Sequence, residues 1–382
     1  MPGLPTPPRI ALLIRAHLSI KREILENIGQ WVAHTRSWEL EYLDDAIDAR
    51  QWAVSESVSG IIAWPDSDEN ISFLSRCGRP VVTLGSLTGT LRPRIRFDNQ
   101  AIGALAAEHF LQRGLRHFAF YGERMNYSYC TERLKGFSQR LKAEGFTPAV
   151  FSMQHDSQSL KNVLDQASGW LRDLPKPIGI LADRDASGTH LLAMCQHAGI
   201  RVPDMVAVCG VGGDRILCRL GTPSLSSVQL PGKQIAECAI DLMSRMLNGD
   251  KVEPTTTLDE FRMIERASTN MFAEDDPVVH KALSHIRDHY HETATTDAIA
   301  RACGVSRRVL ERRFKNATAR TVQNEVLRVR VMRAKDLLLD SEYSVAQIAD
   351  LCGFTEPQRL SEAFRRHFGR SPSQIRTGKR PS

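Results

Sequence analysis

Short apolar runs alternate with longer amphipathic stretches over residues 9–265. A short apolar run bounded by polar residues or glycine is typical of a buried strand, whereas apolar residues at helical spacing are typical of an amphipathic helix. The strand-like runs are Arg9–Ile14, Gly60–Ala63, Pro80–Leu84, His117–Tyr121, Ile178–Leu181 and Val206–Cys209. The helix-like stretches are Lys21–His34, Asn99–Arg113, Thr131–Glu144, Ala186–His197 and Gln234–Leu247. This alternation predicts parallel sheets covered by helices, and the region is long enough for two lobes.

The pattern changes after residue 265. Residues 266–277 (RASTNMFAEDDP) are polar and acidic and end in proline, which indicates a linker. From residue 278 to residue 382 the apolar positions follow helical spacing only. We therefore predict a two-lobed α/β domain over residues 1–265, a linker over 266–277 and an all-helical domain over 278–382.

Two segments of the helical region, 296–315 and 344–368, repeat one pattern. Each contains an apolar helix, a glycine where the chain leaves that helix, a Ser or Thr suited to cap the next helix, and a second helix with a basic outer face. The shared positions are Ile299, Ala300, Cys303, Gly304, Ser306, Leu310 and Phe314 in the first copy and Ile348, Ala349, Cys352, Gly353, Thr355, Leu360 and Phe364 in the second. This is the pattern of a helix-turn-helix, and two matched copies are a much stronger signal than one.

The segment between the two copies predicts a single long helix. Leu327, Val331, Ala334 and Leu338 form one apolar stripe within Thr321–Leu339. Such a helix is about 29 Å long, which is close to the roughly 34 Å of one DNA turn. We therefore expect it to hold both second helices on one face of DNA, in successive major grooves.

Charge separates the two regions further. The chain has 50 Lys and Arg against 44 Asp and Glu, a net charge of +6. Residues 277–382 hold 20 basic and 11 acidic residues, so the positive excess lies entirely in the helical region. A basic region with regular apolar periodicity indicates a folded surface for a polyanion such as DNA.

Composition and motifs argue against several other classes. Apolar residues make up 42% of the chain, which is typical of a globular protein, and we expect neither a secretory signal nor a membrane span. The eight cysteines are scattered, which predicts reduced thiols in a cytoplasmic protein. Sequence motifs of hydrolases, P-loop enzymes and zinc proteases are absent, and Gly210–Asp214 does not complete a dinucleotide fingerprint. His285 and His289 have no evident third ligand, so we expect no enzyme, no cofactor and no metal.

The helical region resembles the DNA-binding region of the AraC/XylS family of transcription regulators. The residues that carry this resemblance are Ile299-Ala300, Cys303-Gly304-Val305-Ser306, Leu310, Arg312, Phe314-Lys315, Arg330, Ala334, Leu337-Leu338, Ile348-Ala349, Cys352-Gly353-Phe354, Phe364, Phe368-Gly369, Ser371-Pro372 and Arg376. The resemblance implies base-edge contacts from Arg308, Glu311, Arg312, Gln358, Arg359 and Glu362. It leaves Arg307, Lys315, Arg365 and Arg366 for phosphates. The chemistry agrees, because Arg pairs with guanine, Gln with adenine and Glu with cytosine.

The first region resembles the type I periplasmic-binding-protein fold of LacI-type regulators. The arrangement of LacI-like lobes before an AraC-like region resembles a group of bacterial sugar-responsive regulators. The stretches that match that group are Ile10–Ile14, Phe97-Asp98-Asn99, Arg116–Gly122, Thr131-Glu132-Arg133 with Phe137, Glu265-Arg266 and Asp276-Pro277. The expected fold is thus a two-lobed α/β type I periplasmic-binding-protein fold followed by an all-α double helix-turn-helix domain. In such a fold, ligands bind at the carboxyl ends of the strands.

Five residues are candidate effector contacts, namely Arg15, His17, Arg133, Asp183 and Asp214. Arg15 and His17 end the first strand, where the relatives favour small amides, so this basic pair departs from the resemblance. Arg133 lies in an R-x-x-G-F motif whose arginine binds the effector, and Asp183 follows a predicted strand. Relatives often have an effector-binding aspartate where Gly212 stands, and Asp214 is the nearby candidate to replace it. Ordinary structural roles remain open: a surface arginine at position 133 and a helix cap at position 183.

The function that follows is a sugar-responsive transcription regulator, with double-stranded DNA half-sites and a small sugar as partners. The resemblance implies a pentose, D-xylose first, activation through RNA polymerase, and a homodimer in the cytoplasm. Basic Arg15 and His17 leave a uronic acid or a phosphosugar open as the effector. A carbohydrate-processing enzyme is the remote alternative.

Overall fold

The computed structural model describes residues 7–43, 57–85, 91–152, 160–271, 276–292, 295–318, 320–341 and 343–376. The chain forms two compact units, one of Met1–Leu111 and Arg116–Thr269 and the other of Gln112–Leu115 and Asn270–Ser382. The expected α/β fold with a following helical region is confirmed.

The first lobe of the first unit is a parallel sheet in the order β11-β5-β4-β3-β1-β2. Its strands are β1 (Arg9–Leu13), β2 (Glu39–Tyr42), β3 (Gly60–Ala63), β4 (Val81–Leu84), β5 (Arg94–Phe97) and β11 (Thr255–Leu258). Its helices are α1 (Ser19–Thr35), α2 (Asp68–Arg76) and α8 (Gly232–Leu247). The central strands β3 and β4 are buried at every residue, because helices cover both faces of a parallel sheet.

The second lobe repeats this design in the order β12-β10-β9-β8-β6-β7, with only β12 antiparallel to its neighbour. Its strands are β6 (His117–Gly122), β7 (Ala149–Ser152), β8 (Ile178–Ala182), β9 (Val206–Gly212), β10 (Ser226–Gln229) and β12 (Arg262–Ile264). Its helices are α3 (Asn99–Leu111), α4 (Ser128–Lys142), α5 (Leu160–Asp173), α6 (Asp185–His197) and α7 (Leu217–Leu220). The chain passes between the lobes after β5, after β10 and after β11, so three connections join them.

The first unit ends at Thr269, inside the segment 266–277 that was predicted as a linker. Arg266 donates from Nη1 to the carbonyl of Leu225 at 2.8 Å, and Ser268 donates from Oγ to the carbonyl of Val208 at 2.6 Å. A short 3₁₀ helix, Ala267–Thr269, is part of this packing. The first four residues of the predicted linker therefore belong to the second lobe, because their side chains donate to buried backbone carbonyls of that lobe.

The second unit is helical in all of its described residues with regular structure. Its helices are α9 (Pro277–Asp288), α10 (Thr296–Cys303), α11 (Arg307–Thr318), α12 (Val322–Asp340), α13 (Val345–Leu351), α14 (Pro357–Phe368) and α15 (Pro372–Arg376). Helix α12 contributes to two separate apolar cores. Val322, Val326 and Val329 pack with α9, α10 and α11, whereas Val331, Ala334 and Leu338 pack with α13 and α14. One helix thus joins two small helical bundles.

Several elements were not visible in the sequence pattern, namely β2, β5, β7, β10, β11, β12 and α5. Most of these strands are edge strands or alternate buried with half-exposed residues, so no continuous apolar run marks them. No described helix is long and apolar enough to cross a membrane.

Candidate functional sites

A cavity of about 320 Å³ lies between the two lobes of the first unit. Residues at or just after the ends of β1, β3 and β5 line one wall, and residues at or just after the ends of β6, β8, β9 and β10 line the other. This is where open parallel sheets bind ligands, and the volume is at the lower end for small-molecule pockets. Trp64, Phe97, Tyr127 and Tyr129 supply aromatic surface.

Arg133 lines this cavity from α4 and is only 5% exposed. Its Nε donates to Oδ1 of Asn99 at 3.1 Å, and its Nη1 donates to the carbonyl of Asp183. The ring of Tyr129 lies 4.9 Å from the guanidinium carbon. Burial lowers the pKa of Arg133, and the neighbouring Tyr129 and Asp183 oppose that effect. The side chain is fixed in place and contacts the cavity.

Two of the predicted effector residues do not line the cavity. Asp183 is fully buried behind the wall, where its Oδ2 accepts the backbone N–H of Arg124 at 3.2 Å. Burial raises the pKa of Asp183. Arg15 pairs with Oδ2 of Asp66 at 3.2 Å, and it is Asp66 that lines the cavity. Arg15 and Asp183 therefore hold the residues that line the cavity.

Asp214 lines the cavity and also caps α7. Its Oδ1 accepts the backbone N–H groups of Ile216 and Leu217 at 2.9 and 3.0 Å. Its Oδ2 lies 3.8 Å from Nη2 of Arg22, which belongs to α1 in the other lobe. This ion pair connects the two sides of the cleft.

Asp185 is a cavity residue that the sequence reasoning missed. It is 3% exposed, and its carboxylate accepts Oγ–H of Ser227 at 2.5 Å and the backbone N–H of Asp214 at 2.7 Å. The carboxylate lies directly against Gly212, where a Cβ would come within 2.7 Å of Oδ2. A carboxylate does therefore stand at the end of β9, but α6 supplies it. The sequence signal was the second aspartate of Asp183-Arg184-Asp185, directly after a strand.

The first lobe contributes a basic group to the cleft. His17 lines the cavity, and burial together with Lys21 lowers its pKa. Lys21 is 2% exposed, its Nζ lies 5.3 Å from the centre of the Trp64 ring, and burial lowers its pKa to about 8.

The second unit presents the predicted DNA-contacting residues on its surface. Arg308, Glu311, Arg312, Gln358, Arg359 and Glu362 are all exposed, as are Arg307, Lys315, Arg365 and Arg366. In the first copy, Gly304 adopts φ +76° and Ser306 accepts the backbone N–H of Val309, as a tight helix turn requires. Arg307 pairs with Glu311 at 2.8 Å and with Asp297 at 3.2 Å. These are exposed pairs, which rearrange at little cost.

In the second copy, Gly353 repeats the left-handed turn with φ +73°. The residue before α14 is Glu356 and not the predicted cap Thr355, because Pro357 starts the helix without needing a capped N–H. Gln358, Arg359, Glu362 and Arg366 line one open groove of about 520 Å³. Leu310 and Phe314, and in the second copy Leu360 and Phe364, are buried as predicted.

Comparison with known proteins agrees with this division. Residues 107–269 match the periplasmic binding protein-like domain family, and residues 299–378 match a helix-turn-helix domain family. The chain is 29% identical to the xylose operon regulatory protein of Haemophilus influenzae, over 96% of this chain and 98% of that protein. It is 28% identical to the Escherichia coli xylose operon regulatory protein, over 96% of each. A solved xylose-binding transcription activator superimposes with a TM-score of 0.73 and 27% identity over 98% of both chains.

The chain is a helix-turn-helix transcription regulator with a periplasmic-binding-protein-like domain. The expected resemblance to an AraC-type regulator with a LacI-like domain is confirmed. The relatives reported above are named as regulators and not as enzymes. Within the described part of the regulator, no cluster of three or more His, Cys, Asp or Glu side chains could hold a metal, although His285 and His289 stack at 4.3 Å.

Proposed function

We propose that the regulator binds DNA with both helix-turn-helix copies at once. The observation that carries this proposal is that α12 belongs to both apolar cores, so it fixes one copy relative to the other. The base contacts are assigned to Arg308, Glu311, Arg312, Gln358, Arg359 and Glu362, and the phosphate contacts to Arg307, Lys315, Arg365 and Arg366. Exposure and chemistry support these assignments.

The effector is a monosaccharide bound in the cleft, and D-xylose, which the relatives' names carry, is the reference compound. His17, Arg133 and Asp214 contact it, while Arg15 and Asp183 act through Asp66 and Arg133. Aromatic walls and a cavity of about 320 Å³ suit a sugar ring. The effector domain extends to Thr269, and the connection to the DNA-binding domain begins at Asn270.

Effector binding is coupled to DNA binding because the ligand favours one arrangement of the lobes. A homodimer in the cytoplasm would place four helix-turn-helix copies on repeated half-sites, and activation would follow from contact with RNA polymerase. These partners are inferred from the regulator class.

The test is selection of genomic fragments by the purified full chain, with and without D-xylose, followed by footprinting. We expect a protected repeat with half-sites about one helical turn apart and an effector-dependent change in affinity. Binding without any preferred sequence would refute the specific-regulator assignment. Sequence-specific binding that no monosaccharide changes would refute the sugar response alone.

A further inference from the structure

Arg124 stands out among the cations of the cleft. It follows β6 and lines the cavity, and no described carboxylate lies within ion-pair distance of its guanidinium. Its Nη1 donates to the hydroxyl of Tyr127 at 3.4 Å, which is a long hydrogen bond. Its Nε is buried and has no hydrogen-bond partner among the described residues. A buried donor without a partner is costly, so a ligand atom that accepts from it would be bound strongly.

The other two cavity arginines already have protein partners. Arg184 pairs with Oε2 of Glu123 at 2.9 Å and donates from Nε to Ser187 at 3.2 Å. Arg133 is held by Asn99 and by a backbone carbonyl. Of the three arginines that line the cavity, Arg124 is therefore the one with a buried donor that has no partner among the described residues.

The cavity carboxylates are engaged as well, which limits what they offer a ligand. Asp66 pairs with Arg15, Asp185 accepts from Ser227 and from a backbone N–H, and Asp214 caps α7. Burial also raises the pKa of Asp185. The opposite wall adds Lys21 behind Trp64. The cavity lining thus offers hydrogen-bond donors while its carboxylates are already engaged, which suits a ligand with an anionic acceptor.

We propose that the effector is a hexuronate, a pyranose whose C5 carboxylate pairs with Arg124. This rests on the proposed function, in which the cleft binds a monosaccharide. D-Glucuronate keeps the ring hydroxyl arrangement of D-xylose and adds one carboxylate at C5, so the change from pentose to uronate requires one more cation in the pocket. The planar guanidinium of arginine fits a carboxylate through two parallel hydrogen bonds. The aromatic side chains of Trp64 and Phe97 remain available for the ring.

Calorimetric titration of the full chain tests the proposal with chemically matched sugars. D-Xylose, D-glucose and D-glucuronate share the ring stereochemistry and differ only at C5, and L-arabinose with D-galacturonate gives a second matched pair. D-Glucose 6-phosphate separates a carboxylate from a phosphate. We expect one of the uronates to bind at least about 10-fold more tightly than its neutral partner.

The variant Arg124→Gln keeps a polar side chain without the charge. It should weaken uronate binding by about 10- to 100-fold, and it should weaken binding of the neutral sugars much less, because they carry no carboxylate. Arg140→Gln, which removes an arginine paired with Glu108 and Glu144 elsewhere on the same lobe, serves as the control and should bind like the unmodified chain. Circular dichroism of both variants checks that they fold.

The possible results distinguish the hexuronate from the sugar response on which it rests. Three results would overturn the hexuronate and leave the sugar-responsive regulator standing. These are binding of D-xylose as tight as that of the better-bound uronate, preference for the phosphosugar, and unweakened uronate binding by Arg124→Gln. Absence of binding by every sugar of the panel would overturn both.

Discussion

At the scale of single residues, the cleft depends on contacts that lie far apart in sequence. Asp185 comes from α6 and occupies the space above Gly212 at the end of β9. Glu123 follows β6 and accepts from His190 and Ser187 on α6 at 2.8 and 2.9 Å. Each pair fixes a loop that carries cavity residues, so substitutions at these positions should affect stability as well as ligand binding.

Gly212→Asp should destabilise the first unit by about 2–3 kcal/mol, because it forces a side chain onto a backbone at φ +141° and against the Asp185 carboxylate. Gly199→Asp is the matched control, since Gly199 also has positive φ but nothing within 4 Å of a Cβ. It should cost about 1–2 kcal/mol. Urea unfolding followed by tryptophan fluorescence measures this unit alone, because all five tryptophans precede residue 171. Equal losses in the two variants would show that the Asp185 contact has no energetic weight.

His190 should make stability depend on pH. The hydrogen bond with Glu123 raises the pKa of His190, and for Glu123 burial is outweighed by its hydrogen bonds, so that its pKa falls to about 2. Because the pKa of His190 is higher in the folded state than in the unfolded chain, its pairing with Glu123 contributes its full stabilisation of the fold below about pH 6.5. This contribution is lost as the pH rises through the folded-state pKa of His190.

The melting temperature of His190→Gln should therefore fall furthest below that of the unmodified chain near pH 5.5, and the difference should shrink towards pH 9. His197→Gln, an exposed histidine on the same helix, is the control. A difference that stays constant over this range would contradict the assignment.

At the scale of elements, one arginine ties the two helix-turn-helix copies together. Arg330 on α12 donates from Nε to the carbonyl of Tyr290 and from Nη2 to that of Glu292, both at 2.7 Å. A Cβ at Gly353 would come within 2.6 Å of the carbonyl oxygen of His291. The segment after α9 is thus held against the turn of the second copy, and Gly353 is needed both for its positive φ and for this close approach.

Arg330→Met should cost about 1–3 kcal/mol of stability, through two lost hydrogen bonds, and should weaken binding to DNA that contains both half-sites by roughly 10-fold. Hydrogen exchange of residues 290–292 should become faster. Arg333→Met, an exposed arginine on the same helix, is the control for charge. If it lowers affinity equally, the loss comes from charge and not from the fixed orientation.

At the scale of the whole molecule, the two units differ in net charge, and this difference matches the different ligands proposed for them. The helical region carries the positive excess of the chain, and its helices α11 and α14 carry exposed arginines. Binding to any duplex releases counterions, so affinity should fall steeply with salt. The first unit supplies a cleft between two lobes.

Arg365→Gln and Arg366→Gln should each lower the slope of log affinity against log salt by about 0.9, measured by fluorescence anisotropy on a random-sequence duplex. Arg172→Gln, an exposed arginine of the effector domain, should leave the slope unchanged. An unchanged slope in the first two variants would remove them from the phosphate contacts.

Much of this architecture could be predicted from the sequence. The predicted helix at Thr321–Leu339 is α12, with Thr321 as its cap, because a long apolar stripe needs no partner to be recognised. The strand-like run Gly60–Ala63 is β3, since buried parallel strands are continuously apolar. Half-exposed strands such as β7 were not predicted, because a mixed sequence of apolar and polar residues resembles that of a loop.

The sequence alone determined the order of elements, the doubled helix-turn-helix and the uneven distribution of charge. Each of these depends only on the local spacing of apolar residues or on amino-acid composition. Only the tertiary structure decided the cleft. Arg15 and Asp183 follow strands as cavity residues do, yet a pairing with Asp66 and complete burial take them out of the lining. Asp185 and Arg124 enter it, because the direction of a side chain at a strand end depends on what packs around it and not on its place in the chain.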